Sequence, residues 1–196
     1  MRLGGALLKA PDAPTPLMLL TEHLFSKSEA ETRNLFTGGD AAAKIDYLAG
    51  VTASFVYFYR PAPSQRQQPI DSSAFVTTPN VPGSRIQSGK VARYLAANVA
   101  NPKVNFDIAP SGANGKQEVI IYQKYLALNG VAAIDIWSDY RRTGLPKFRA
   151  SIESTSPRPD KLPTRLLYPL SEVTSNPSNV PAGVTQYTKV FWDVVD

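Results

Sequence analysis

Proline divides the chain into three long stretches in which apolar residues recur every three or four positions. These proline-free stretches span 17–60, 83–101 and 111–145. Proline removes a backbone donor and clashes with the preceding helical turn, so long helices are expected to lie between prolines. The pattern predicts a mainly α protein.

The first stretch predicts a helical hairpin. A first helix is expected over about 17–36, with apolar residues in register at Leu17, Leu20 and Leu24. Gly38 and Gly39 should end it, and Asp40 is the predicted N-cap of the second helix. One apolar stripe is expected on that second helix, formed by Ile45, Leu48, Val51, Phe55 and Phe58. The pair resembles one tetratricopeptide-like unit, which needs neighbouring elements to bury its faces.

The rest of the chain predicts three shorter helices and much non-helical backbone. The helices are expected over 89–99, with Val91, Leu95 and Val99 on one face, over 116–128, and over about 131–142. A proline-, serine- and glutamine-rich loop is predicted over 60–87. Residues 146–181 hold seven prolines and should be extended or turn-like, and β-branched residues predict a strand near 184–195.

The amino-acid composition excludes several kinds of functional site. The chain has no Cys and one His, so it predicts no disulfide, no thiol nucleophile, no lipid on cysteine within this chain, and no metal site built on thiolates or on two histidines. It also contains no apolar run long enough for a membrane helix. His23 has no second histidine or strained serine turn near it, and no phosphate-binding glycine loop is present. We therefore expect no enzymatic activity and no cofactor.

The predicted helix over 131–142 carries the charges that most resemble a site. Asp135 and Asp139 lie four residues apart, a spacing at which two carboxylates can share a proton or a metal. Arg141 and Arg142 follow directly, so neutralised carboxylates with an Asp139–Arg142 ion pair are favoured. Trp137 is predicted on the buried face, with a hydrogen-bond partner for its indole.

The positive charge is concentrated in the middle of the chain. The net charge is +5, and residues 60–106 contain one acidic residue, Asp71, against six basic ones: Arg60, Arg66, Arg85, Lys90, Arg93 and Lys103. Such a stretch can attract acidic ligands, although a solvated loop surface is the favoured interpretation.

Three consecutive aromatic residues, Tyr57 to Tyr59, lie where the second helix meets this basic loop. Tyrosine rings beside amide and guanidinium groups suit the binding of sugars or peptides, although two of the three rings are expected to pack in the core. The predicted ligand-binding residues are Tyr59, Arg60, Gln65, Arg66 and Gln67.

Four sequence blocks, in order, resemble the SusD/RagB family of nutrient-binding outer-membrane lipoproteins. They are Ile120–Leu128, similar to that family's QKW-x-AL helix; Ile136–Pro146, similar to its W-x-E-[WY]-RRTG-[YF]-P signature; Leu162–Pro169 with Glu172 and Asn176; and Lys189–Asp193. Pro16–Thr21 and Tyr47–Phe55 are similar to two earlier helices of the family.

This resemblance implies a function and a location. It implies helical hairpins of tetratricopeptide type with long ordered proline-rich loops and a C-terminal extended segment. The whole of 1–196 is then expected to be a single domain, the C-terminal part of a SusD-like protein, without the lipid anchor. The implied function is non-enzymatic binding of oligosaccharides or peptides at the surface of the outer membrane, for a SusC-like TonB-dependent transporter.

Two other functions stay open on the residues alone. The helical hairpin also fits a protein–protein adaptor. An adaptor of this kind would continue as a solenoid of helical repeats, which the proline-rich tail does not allow. The isoelectric point of about 9.4 fits a nucleic-acid binder, which would need basic and aromatic residues interleaved on one face. We expect no nucleic-acid partner.

Overall fold

The structure is a computed structural model that describes residues 10–60, 84–110, 113–147, 153, 158 and 162–191. Its helices are α1 (Leu20–Thr32), α2 (Gly39–Tyr59), α3 (Ser84–Ala97), α4 (Ala113–Leu128), α5 (Ala133–Thr143) and α6 (Leu170–Ser175), with a 3₁₀ turn at Pro177–Asn179. No strand occurs within these residues. The mainly α fold class is therefore confirmed.

The chain forms two compact units, residues 1–136 and residues 137–196. The first contains α1 to α4, the boundary falls within α5, and the second contains α6 and the proline-rich stretch 146–181. That the whole of 1–196 acts as a single domain remains a prediction.

Helices α1 and α2 form the predicted hairpin and are antiparallel. Near the start of α1, the Thr21 hydroxyl donates to the Gly50 carbonyl oxygen at 2.8 Å. Two turns later, the Ser28 hydroxyl donates to the Ala43 carbonyl oxygen at 2.7 Å. All four residues are buried, so these hydrogen bonds fix the register of the two helices without leaving a polar group unpaired.

The ends of the two helices differ from the sequence predictions. Helix α1 begins at Leu20, because Leu19 is extended, and Leu17 lies fully exposed before it. The N-cap of α2 is Gly38, whose φ of 115° is a left-handed conformation that favours glycine. Asp40 lies inside the first turn of α2, where its negative carboxylate interacts favourably with the positive end of the helix dipole.

The predicted apolar stripe on α2 is only partly correct. Val51 is buried and Leu48 and Phe55 are half-buried, but Ile45 is 65% exposed. The buried side instead includes Ala43 and Tyr47, both fully buried. Small residues on this side of α2 let α1 approach closely. The contact with α1 therefore decides which face of α2 is buried, and the size of the apolar side chains does not.

Helix α3 packs against α2, and α4 packs against both α1 and α2. The predicted boundaries of α4 and α5 were close, but α3 begins at Ser84, inside the loop predicted over 60–87. On the predicted α3 face, Val91 is buried, Leu95 is half-buried, and Val99 lies after the helix and is 64% exposed. Residues 61–83 of the predicted loop lie outside the described residues.

After α5, the described part of the C-terminal unit is irregular apart from α6 and the 3₁₀ turn. Over 184–191 the predicted strand is wrong. The backbone hydrogen bonds there join residues close in sequence or form single contacts, and do not form the ladder of a β-sheet. The Thr188 amide donates to the Thr185 carbonyl oxygen at 3.1 Å, and the Gln186 carbonyl oxygen accepts from the Thr164 amide at 2.9 Å. Residues 192–195 lie outside the described residues.

A buried carboxylate lies between α1 and α2. The side chain of Glu31 is 4% exposed, and its Oε1 lies 3.6 Å from the Nζ of Lys27, which bonds more closely to Asp46 at 2.7 Å. Its Oε2 accepts no hydrogen bond within the described part of the chain. Burial, reinforced by the neighbouring Asp46 carboxylate, raises the pKa of Glu31 above its ordinary value of 4.5.

This raised pKa predicts a pH-dependent effect of Glu31→Gln. The folded state favours protonated Glu31, so its contribution to stability is complete below pH 4.5 and is lost as pH rises through the folded pKa. We expect Glu31→Gln to be more stable than the parent at pH 7, by a difference that shrinks toward pH 4.5. Urea unfolding at several pH values measures it.

Asp135→Asn is the control, because it removes the same charge from an exposed position. Its effect on the free energy of unfolding should stay small at every pH. A Glu31→Gln variant that is destabilised at pH 7 would contradict the assignment of Glu31 as an unfavourable buried charge.

Candidate functional site

The three consecutive aromatic residues at the end of α2 have different environments. Tyr57 is half-buried and packs against the cluster of Leu19, Leu128 and Ile136. Phe58 is half-buried and meets the Tyr57 ring edge-on, with centroids 5.5 Å apart. Tyr59 is 52% exposed. Only Tyr59 of these rings therefore offers a large accessible surface to a ligand.

The Tyr59 ring is supported by two other aromatic rings. Phe55, one turn earlier on α2, lies nearly parallel to it, at 24° with centroids 6.1 Å apart. Phe55 in turn contacts Tyr94 of α3 at 5.6 Å. We call Tyr59, Phe55 and Tyr94 the Tyr59 platform. Aromatic stacking of this kind limits the motion of an exposed ring.

The base of the platform is anchored to α4. The Tyr94 hydroxyl donates to Oε1 of Gln123 at 3.0 Å, and Nε2 of Gln123 donates to the Lys103 carbonyl oxygen at 3.1 Å. Burial raises the pKa of Tyr94, so the phenol stays neutral and remains a donor at pH 7. The exposed ring is thus connected through two side chains to the packed part of the first unit.

One cationic side chain lies over the exposed ring of the platform, and a second cationic residue follows that ring in the sequence. The Nζ of Lys90, on α3, lies 3.6 Å from the centroid of the Tyr59 ring, which is a close cation–π contact. Arg60 follows Tyr59 directly, is exposed, and its amide donates to the Val56 carbonyl oxygen as the α2 C-cap. The site combines an apolar ring face with positive charge.

The structure places only part of the predicted site. Tyr59 and Arg60 are both exposed, whereas Gln65, Arg66 and Gln67 lie outside the described residues, and the role of all five in binding stays a prediction. Sequence reasoning omitted the residues that support or cover the ring, which are Phe55, Lys90 and Tyr94. Lys90 belongs to the basic stretch 60–106, so the uneven distribution of charge along the chain is the sequence feature that could have identified it as a site residue. Periodicity placed Phe55 only in a core stripe.

Trp137, in the C-terminal unit, has a structural environment. Its Nε1 donates to the Pro163 carbonyl oxygen at 2.6 Å, and the Arg141 guanidinium lies 4.4 Å from its ring centroid. The predicted hydrogen-bond partner therefore exists, but the side chain is half-buried and not fully in a core. These contacts tie the start of the tail to α5 within this unit.

The acidic residues of α5 do not form a shared site. Asp135 is exposed, whereas Asp139 accepts a bond from Nη2 of Arg142 at 2.9 Å, the predicted ion pair. In the described part of the chain, no group of three or more His, Asp or Glu side chains is placed to hold a metal. Among the helices described, none combines the length and apolar character needed to span a bilayer.

Comparison with protein families matches residues 4–169 to the family SusD-like_2, described as "Starch-binding associating with outer membrane". The match covers well over half of the chain and contains α1 to α5, with every residue of the Tyr59 platform. It agrees with the resemblance found in the sequence blocks. Neither the curated proteins nor the solved structures gave a match to this chain.

Proposed function

Because the chain belongs to the SusD-like family of starch-binding proteins that associate with the outer membrane, we propose that it binds nutrient oligosaccharides without cleaving them. Binding takes place on the Tyr59 platform. The observation that carries this proposal is the half-exposed Tyr59 ring, which projects from the end of α2 and is supported by Phe55 and Tyr94.

Sugar binding requires an apolar surface and polar groups around it. The C–H face of a pyranose ring packs on an aromatic ring, while hydroxyl groups bond to side chains at the rim. The Tyr59 ring supplies the apolar surface. The Tyr59 hydroxyl and the Arg60 side chain supply hydrogen-bond donors for the hydroxyl groups of the sugar. Gln65, Arg66 and Gln67 complete the proposed site through amide and guanidinium groups.

The rest of the proposal follows from the family. The bound oligosaccharide is delivered to a SusC-like TonB-dependent transporter, and the protein acts at the surface of the outer membrane through a lipid anchor. Peptides are the alternative ligand, because a Tyr ring beside Arg and Gln side chains also suits peptide groups.

We expect binding to be weak, with a Kd of about 1 mM, equivalent to about −4 kcal/mol. The described part of the site offers one stacking ring, and affinity comes from several preorganised contacts and not from area. A glycan array followed by calorimetry with the best oligosaccharide measures this. Tyr59→Ala should weaken binding about tenfold, because the stacking surface is removed.

Tyr168→Ala is the matched control. Tyr168 is a half-buried tyrosine of the C-terminal unit whose ring also carries a cation, with the Arg165 guanidinium 4.9 Å from the centroid. It should bind like the parent. Loss of binding in Tyr168→Ala together with full binding in Tyr59→Ala would place the ligand elsewhere and overturn the proposal.

A further inference from the structure

Positive charge at the Tyr59 platform has no neutralising partner among the residues that the structure describes. Lys90 is exposed and forms no ion pair with the described residues, and Arg93, one turn further along α3, is exposed as well. Helix α3 contains no acidic residue, and α2 contains none after Asp46. The platform therefore lies in a positively charged part of the first unit.

The nearest described ion pair on α2 is far from the platform. Asp46 bonds to Lys27 of α1 at 2.7 Å, in the first half of α2. Thirteen residues of helix separate Asp46 from Tyr59, which is about 20 Å at 1.5 Å per residue. That distance exceeds the Debye length of about 8 Å at physiological ionic strength, so Asp46 does not offset the charge at the platform.

Lys90 also affects access to the ring. Its ammonium lies over the Tyr59 ring, so a sugar that stacks on that face must move it. For a neutral sugar this step only loses the cation–π contact. For a sugar with a carboxylate in the plane of its ring, the displaced ammonium gains an ion pair at the sugar edge. The arrangement therefore discriminates between the two classes of ligand.

We propose that the Tyr59 platform selects acidic oligosaccharides, with Lys90 pairing to a uronic acid carboxylate while the sugar ring stacks on Tyr59. This inference rests on the proposed function and names the ligand class of the same site. Lys90 acts as a specificity residue, and Arg60 and Arg93 raise the local concentration of the anion.

The test compares two ligands that share one oligosaccharide backbone and differ in whether each carboxyl group is charged or methyl-esterified. Oligogalacturonides of one defined length are titrated against the protein at neutral pH, beside the fully methyl-esterified form of the same oligosaccharides. We expect the free acid to bind about 5-fold more tightly than the ester, the size of one exposed ion pair with a strong geometry. The advantage should shrink between about 50 mM and about 300 mM salt.

Lys90→Met gives the sharper outcome, because its effects on the two ligands have opposite signs. Affinity for the acid should fall about 5-fold, whereas affinity for the ester should rise about 2-fold, because no ammonium covers the ring. Lys90→Arg should keep the preference for the acid. Lys189→Met, which removes the same charge from an exposed position of the C-terminal unit, should change neither affinity.

The outcomes separate the two proposals. Equal binding of acid and ester, unchanged by Lys90→Met but lost in Tyr59→Ala, overturns the selectivity and leaves the proposed function standing. Binding of neither oligosaccharide, with no response to Tyr59→Ala for any glycan on the array, overturns both. Tighter binding of a single-stranded oligonucleotide than of the galacturonide also overturns the selectivity, because the surface is then a general polyanion site.

Discussion

Replacing Tyr47 with alanine is expected to lower the free energy of unfolding by about 4 kcal/mol, the largest effect of any single substitution considered for this protein. Tyr47 is fully buried in the middle of α2. Its ring contacts Phe25 of α1 at 6.0 Å and Phe106 at 5.3 Å, measured between centroids. Alanine would leave a cavity between three segments that cannot all close around it.

The hydroxyl group of Tyr47 makes a separate contribution. It donates to the Val104 carbonyl oxygen at 2.6 Å, and burial raises its pKa far above the usual value, so it is a permanent donor. Tyr47→Phe keeps the ring and leaves that carbonyl unpaired, which should cost about 1–2 kcal/mol. This milder variant remains informative if Tyr47→Ala does not fold.

Urea unfolding followed by circular dichroism measures both variants. Tyr59→Ala is the control, because it makes the same change at the half-exposed end of the same helix and should cost less than about 1 kcal/mol. Equal losses at the two positions would show that Tyr47 is not a core residue.

Placing leucine at Gly50 should be the second most damaging change, at about 3 kcal/mol. A Cβ at this position would lie 2.9 Å from two atoms of the Phe25 ring. Phe25 is 1% exposed and is held by Tyr47, so its ring has no free space to move into. Glycine here serves the close approach of α1 and α2 and needs no special backbone conformation.

Gly89 provides a matched control position, at which glycine is replaced by alanine as in Gly50→Ala. It lies inside α3, and a Cβ there would meet nothing within 4 Å. Gly89→Ala should therefore stabilise the protein by about 0.5–1 kcal/mol, the helix propensity gain, whereas Gly50→Ala should lose that gain to the contact with Phe25. Opposite signs for one chemical change isolate the packing effect.

A double substitution tests whether Phe25 is the cause. In a Phe25→Ala background the clash is removed, so Gly50→Ala should become stabilising even though Phe25→Ala itself is costly. A Gly50→Ala effect that is the same in both backgrounds would assign the need for glycine to something other than the α1–α2 contact.

Much of the secondary structure follows from local chemistry. Proline ends the helical stretches because it lacks a backbone donor, and Gly38 to Gly39 permit the turn between α1 and α2 because glycine adopts left-handed conformations. The ordered sequence blocks from Ile120 onward were enough to identify the family. The Asp139–Arg142 pair was likewise predictable, because three residues along a helix bring two side chains together.

The tertiary structure decided which faces of these helices are covered and what meets at the site. Ile45 is exposed and Gly50 is buried because α1 needs small residues at close contact, a requirement that apolar periodicity does not express. Lys90 reaches Tyr59 although 30 residues separate them. Periodicity describes one helix at a time, whereas burial and the charge at a ring depend on neighbours that are distant in the chain.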